Sequence, residues 1–201
     1  MLLRSTLLTL LAGASSLACA TYTGSEVNAV PARIALEPGW VRVERITLIP
    51  QRANWDCGLA ALSMVLEYWA IERDPGVVEA VIGPAVSEER PIRAGELRSL
   101  ARALGAEAFL VRGTMEDLEQ QLALGRPVLV GERKSTLGGS LAHYAVVIGV
   151  HRGSRRVLLL DPALGLRESS YEGFDSEWTA SGRLTLLVLG RAALAAQGAA
   201  L

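Results

Sequence analysis

Apolar positions follow two rhythms along the chain. From 58 to 70, Leu59, Leu62, Met64, Val65, Leu66 and Trp69 recur at helical spacing, with Asp56 placed to cap the start. The same rhythm predicts a second helix over Ile92 to Leu104, closed by Gly105. A third runs over Thr114 to Leu124, where Thr114 and Asp117 make a capping pattern and Gly125 ends the helix. After Pro127 the pattern changes to short apolar and β-branched runs at Val128 to Gly131, Tyr144 to Val150, Val157 to Leu160 and Leu184 to Leu189. The turn-like Arg152-Gly153-Ser154 predicts a hairpin between two of these runs. Further strand-like stretches are Arg42 to Ile49, stopped by Pro50, and Ala108 to Val111. Helices followed by strands predict an α+β fold with an antiparallel sheet, and no linker-like stretch interrupts residues 40–190.

Residues 1–20 follow neither rhythm. Met1-Leu2-Leu3-Arg4 is a short positive start, and Ser5 to Ala14 is almost wholly apolar or small. The run is too short to span a bilayer and reads as a secretory signal peptide. Two processing outcomes are open. Ala18-Cys19-Ala20 fits the small-x-small pattern of ordinary signal peptidase, whereas Ser16-Leu17-Ala18-Cys19 resembles a lipobox, its leucine one position late, in which Cys19 is lipidated. We favour lipidation of Cys19, hence a bacterial cell-envelope protein anchored to a membrane and facing away from the cytoplasm. On this reading residues 21–39 are a tether, 40–190 the folded domain and 191–201 an alanine-rich tail.

Composition narrows the function classes. The chain is 50% hydrophobic and 20% charged, enough to bury a core. A net charge of −1 without a basic run gives no case for a nucleic-acid partner. Of the 20 cationic side chains, Lys134 is the only lysine. No His/Cys cluster has metal-ligand spacing, and no cofactor is implied. The two cysteines are Cys19 and Cys57, and Cys19 is either lipidated or removed with the signal. An exported chain would then keep one unpaired thiol, which is a liability unless buried or used.

Cys57 lies in the first turn of the predicted helix, where the dipole and unsatisfied N–H groups favour a thiolate. That placement suits nucleophilic catalysis. Gly58 would leave room for a substrate backbone, and Gln51, just upstream, supplies an amide donor suited to an oxyanion. A base must come from His143 or His151. His143 opens the strand Tyr144 to Val150, whereas His151 lies beside the turn and is expected to be solvent-exposed. If the strands on either side of Gly153 pair antiparallel, His143 and Asp161 meet at one edge of the sheet. An aspartate there would orient the imidazole.

With Cys57, His143, Asp161 and Gln51 in place, the segments around them resemble a known family. The stretch from Gln51 through Asn54-Trp55-Asp56-Cys57-Gly58 to Trp69, then His143 to Val150, then Val157 to Ala163, and finally Phe174 with Trp178, resemble the bacteriocin-processing, double-glycine leader peptidases. The resemblance covers roughly residues 45–190. It implies a papain-like fold in which a helical half carries the cysteine and a sheet half the histidine and aspartate. It also implies Cys57 as nucleophile, His143 as general base and acid, Asp161 as orienting residue and Gln51 as oxyanion donor. The substrate would be a peptide or protein. Acyl or peptidyl transfer at the same site, and an inactive peptide-binding module with Trp55, Trp69 and Trp178 lining a groove, are the alternatives. Specificity is expected in loops around Pro84 to Pro91 and Glu132 to Leu141.

Overall fold

The computed structural model describes residues 24–190. The expected signal peptide, Cys19 and the alanine-rich tail lie outside the described residues. Among those described, no helix is long and apolar enough to cross a membrane.

The elements run β1 (Val27–Asn28), α1 (Pro31–Leu36), β2 (Trp40–Arg42), α2 (Cys57–Tyr68), α3 (Pro75–Ser87), α4 (Ala94–Ala103), β3 (Glu107–Arg112), α5 (Met115–Ala123), β4 (Val128–Thr136), β5 (Gly139–His151), β6 (Arg156–Asp161), β7 (Gly165–Ser170), α6 (Tyr171–Ala180) and β8 (Leu184–Leu189). The strands form one antiparallel sheet in the order β1-β7-β6-β5-β4-β8-β3, with β2 joined to β5.

β5 organises the molecule. One edge pairs first with β4 and then with β2, while the other pairs with β6. Because side chains alternate along a strand, β5 supplies both faces of the sheet. Val146 and Ile148 pack with α2 and α4 through Leu62, Leu66, Leu97 and Leu100. Ala145 and Val147 pack with Leu118 and Leu122 of α5 and Phe174 and Trp178 of α6. A bulge between Val147 and Gly149 resets the alternation, so Val150 also faces α5 and α6.

The α+β reading, the helices over α2, α4 and α5, and the β5–β6 hairpin agree with the pattern of the sequence. The Thr114–Asp117 capping box forms as expected, with Asp117 N donating to Thr114 Oγ1 at 3.1 Å. Four expectations are corrected. The strand expected from Arg42 to Ile49 ends at Arg42, and Arg45 leaves the extended region at φ 60°. Pro84 does not lie in a loop but inside α3, which starts at Pro75 under an Asp74 cap. The loop expected around Glu132 to Leu141 is the arm of a β4–β5 hairpin, paired from Val128↔Val147 to Thr136↔Gly139.

The fourth concerns the tether. Its described part, 24–39, lies against the domain: Val27 and Asn28 pair with β7, and Ile34 is 3% exposed within the α2-side core. Ion pairs from Arg33 to Glu168 and from Glu37 to Arg156 add to this docking. Replacing Ile34 with alanine should lower stability by about 2 kcal/mol or more, the cost of a cavity under an integral segment. An unchanged melting temperature would return 24–39 to the status of a tether.

Candidate active site

The site is assembled where the N-terminus of α2 meets the end of the β5–β6 hairpin. Cys57 is the first residue of α2 and is 4% exposed. Asp56 stands at the cap position but does not cap the helix. Its carboxylate turns back and accepts from Arg52 N at 3.0 Å and Ala53 N at 3.1 Å. The carboxylate therefore organises the preceding loop and leaves the first turn of α2 without a side-chain acceptor.

That loop carries Gln51. Its backbone N–H donates to Pro162 O at 2.9 Å, which ties it to the turn following Asp161. Its side-chain Nε2 donates to Ala53 O at 3.1 Å, and Oε1 is buried. Gln51 is thus held between the Cys57 loop and the Asp161 turn, with one of its two amide hydrogens already committed.

His143 and Asp161 meet as the hairpin reading requires. Val146 pairs with Leu160, and beyond that pair His143 Nε2 lies 3.0 Å from Asp161 Oδ2. The contact has ion-pair distance. Asp161 Oδ1 accepts from Ala163 N at 2.7 Å and Leu164 N at 3.1 Å, so the carboxylate is fixed from behind. With Nε2 turned to Asp161, Nδ1 is the nitrogen left for the hydrogen bond that His143 makes with Cys57.

Burial opposes protonation of His143. The contacts with Asp161 and Cys57 and their negative charges outweigh it and push the imidazole up to about 10. Burial also works against the Asp161 carboxylate, but His143 first, then the Ala163 N–H and the charge of Lys134, bring it below its ordinary range. The arrangement favours a charged imidazole lodged between a carboxylate and a sulfur, the state that supports a thiolate nucleophile and holds a proton for a leaving group.

Other expectations are placed differently. His151 is buried rather than solvent-exposed: Nε2 lies 2.9 Å from Pro38 O, and Ser154 N donates to Nδ1 at 3.0 Å. It fastens the segment before β2 and stands apart from Cys57. The space above Gly58 is filled from within, because a Cβ there would lie 3.0 Å from Tyr144 Cδ2 and 3.1 Å from Leu97 Cδ1. Burial raises the Tyr144 hydroxyl to about 12, with the charges of Cys57 and Glu96 adding to the shift. Trp178 lines no groove; it is fully buried against Phe174, with ring centroids 5.2 Å apart. Trp69 is partly buried and donates to Val188 O at 2.8 Å.

Sequence reasoning missed a second group of charges beside the site. Glu132 lies directly opposite His143 in the β4–β5 ladder, and Lys134 is one alternation further along. Ending the strand at Gly131 hid the alternation Glu132-x-Lys134, which was the available signal.

No curated protein matches the chain. Among solved structures, the peptidase domain of Streptococcus ComA, a bifunctional ABC transporter of a quorum-sensing pathway, matches with a TM-score of 0.58 at 24% identity. That match covers 73% of this chain and 100% of the other. A C39-like peptidase from Bacillus anthracis matches with a TM-score of 0.56 at 18% identity, over 76% of this chain and 98% of the other. A double-glycine-motif protease from an AMS/PCAT transporter, solved with its leader peptide, matches with a TM-score of 0.52 at 22% identity, over 74% and 94%. These likenesses establish the papain-like fold. The Peptidase C39 family profile spans residues 45–188, from the loop before Cys57 to the last strand of the sheet, and the chain belongs to that family of cysteine peptidases.

Proposed function

We propose that this cysteine peptidase hydrolyses a peptide bond in the bacterial cell envelope, with Cys57 as nucleophile, His143 as general base and acid, Asp161 as orienting residue and Gln51 as oxyanion donor. The observation that carries the reading is that one buried imidazole, His143, contacts both the Asp161 carboxylate and the only thiol of the described chain. A peptide substrate is favoured by the relative crystallised with its leader peptide.

The chemistry proceeds in two halves. The Cys57 thiolate attacks the carbonyl carbon, and the negative oxygen is met by the free amide hydrogen of Gln51 Nε2. Collapse breaks the C–N bond while protonated His143 gives its proton to the departing amine, leaving a thioester. Neutral His143 then takes a proton from water, whose oxygen attacks the thioester carbon. Collapse releases the acid, and the thiolate–imidazolium pair returns. Asp161 keeps the ring turned so that Nδ1 faces sulfur throughout. An amine in place of water in the second half gives acyl transfer from the same intermediate.

The location rests on the signal-like residues 1–20 and on Cys19, which we propose as the lipidated N-terminus. Intact-mass analysis of the native protein should show a diacylglyceryl-cysteine start. An N-terminus at Ala20 or Thr21 would refute the anchor.

Iodoacetamide should alkylate Cys57 in the folded protein at neutral pH faster than a small model thiol, and His143→Ala should slow it. Labelling at the rate of a free thiol would favour the inactive binding module.

With substrates found by peptide-library profiling, Cys57→Ala should abolish turnover and His143→Ala should be nearly as damaging. Asp161→Asn should be milder, and Gln51→Ala should cost about 10²-fold or more with the fold intact. Full activity in Cys57→Ala, or greater loss in His151→Ala than in His143→Ala, would overturn the assignment. Products joined to an added amine instead of hydrolysed would make the protein a transferase.

A further inference from the structure

The only lysine in the chain is almost completely buried. The Lys134 side chain is 2% exposed, and its Nζ lies 3.1 Å from Glu132 and 2.8 Å from Glu177, with a further close contact to Glu26. These acids come from three parts of the fold: Glu132 from β4, Glu177 from α6 and Glu26 from the segment leading into β1. Their oxygens are close enough together to hold a cation, and the ammonium of Lys134 is that cation. In a chain whose other cations are all arginine, a lysine here has a physical reason. A compact point charge can sit among three carboxylates, whereas a planar guanidinium cannot converge on them in the same way.

The cluster adjoins the reacting residues. Directly opposed residues of an antiparallel pair project from the same face, so Glu132 and His143 share a face, and Lys134 follows on it. Asp161 joins them through its 3.0 Å contact with His143. The charged groups around Asp161 are therefore His143 of β5, Glu132 and Lys134 of β4 and Glu26 before β1. Glu177 of α6 touches Lys134 and Arg167 of β7 lies 3.7 Å from Glu26, while Glu26 and Asp161 repel each other.

The cluster does more than fasten the N-terminal segment. Burial works against the Lys134 ammonium, yet Glu132, Glu26 and Glu177 outweigh it and keep it charged. Burial raises the Glu132 carboxyl against the pull of Lys134, so it offsets the lysine less than a solvated glutamate would. The Lys134 charge reaches Asp161 and lowers it. A buried carboxylate facing an imidazole gains from a second, fixed cation behind it, because the imidazole changes charge during turnover and a lysine does not.

Resting on the catalytic reading of Cys57, His143 and Asp161, we propose that Lys134 is a positioning residue of this peptidase: the fixed buried cation that holds Asp161 as a carboxylate behind His143 while the imidazole gains and loses its proton. It touches no substrate and acts through Asp161.

The test is the pH dependence of Cys57 alkylation by iodoacetamide in the full chain, followed on the Cys57 peptide by mass spectrometry, with melting temperatures alongside. Lys134→Met keeps the aliphatic stem and removes the charge. Asp161 then takes up a proton at higher pH, so the acid limb of the rate profile should move up by about half a pH unit or more. A structural clamp alone would lower the melting temperature and leave the limb where it is. Should the single variant not fold, Lys134→Met/Glu26→Gln removes a buried carboxylate together with the ammonium and should show an upward shift that is smaller, because Glu26 repels Asp161. A folded variant of either kind with an unmoved or lowered limb overturns the proposal. Failure of both to fold also overturns it, by making Lys134 a clamp. Failure of the catalytic reading is visible separately in the wild-type protein, as a Cys57 that alkylates no faster than a free thiol.

Discussion

A carboxylate and an imidazole buried together are costly to the fold unless each keeps the other charged, and the pair His143–Asp161 sets the terms for much of this molecule. It requires the β5–β6 hairpin to hold two side chains at 3.0 Å, and the turn after Asp161 to present two N–H groups to the other carboxylate oxygen. It also requires the Gln51 loop to close over that turn, which the bond to Pro162 O achieves. Asp56 gives up its role as a helix cap to shape the same loop. Four local features that look unrelated along the chain thus serve one buried contact.

The sheet makes this possible because β5 is bonded along both edges and contributes to both cores. Helix α2 lies on one face, α5 and α6 on the other, and His143 belongs to the strand between them. The bulge at Val147 and Gly149 restores the packing of Val150 without moving His143 to the opposite face. Paired on both sides, the strand has little freedom to shift its register, so the position of the imidazole follows from the same hydrogen bonds that build the sheet.

Much of this was legible in the sequence. Helical spacing locates α2, α4 and α5, and the turn at Gly153 brings His143 towards Asp161. What stayed hidden has physical reasons. Pro84 reads as part of a loop, yet it is accommodated inside α3, which Pro75 starts. β7 and the N-terminal segment are polar on their surfaces and are secured by ion pairs such as Arg33–Glu168, which leave no hydrophobic periodicity. His151 looked exposed because it borders a turn, while its burial comes from Pro38, far off in sequence. The charged stretch of β4 read as a loop because buried charge is rare enough that polarity normally signals solvent.

The burial of Lys134 also bears on the fate of the thioester. A thioester is open to any nearby amine as well as to water, and lysine side chains are the commonest amines on protein surfaces. Here the only lysine is locked among three glutamates, so no lysine amine on this protein's surface is available to capture an acyl group from a neighbouring copy. Arginine carries the surface positive charge without offering a nucleophile at neutral pH. Closely packed copies of such a molecule can form and discharge thioesters without cross-linking one another through lysine, leaving the acyl group to water or to an amine brought by a partner.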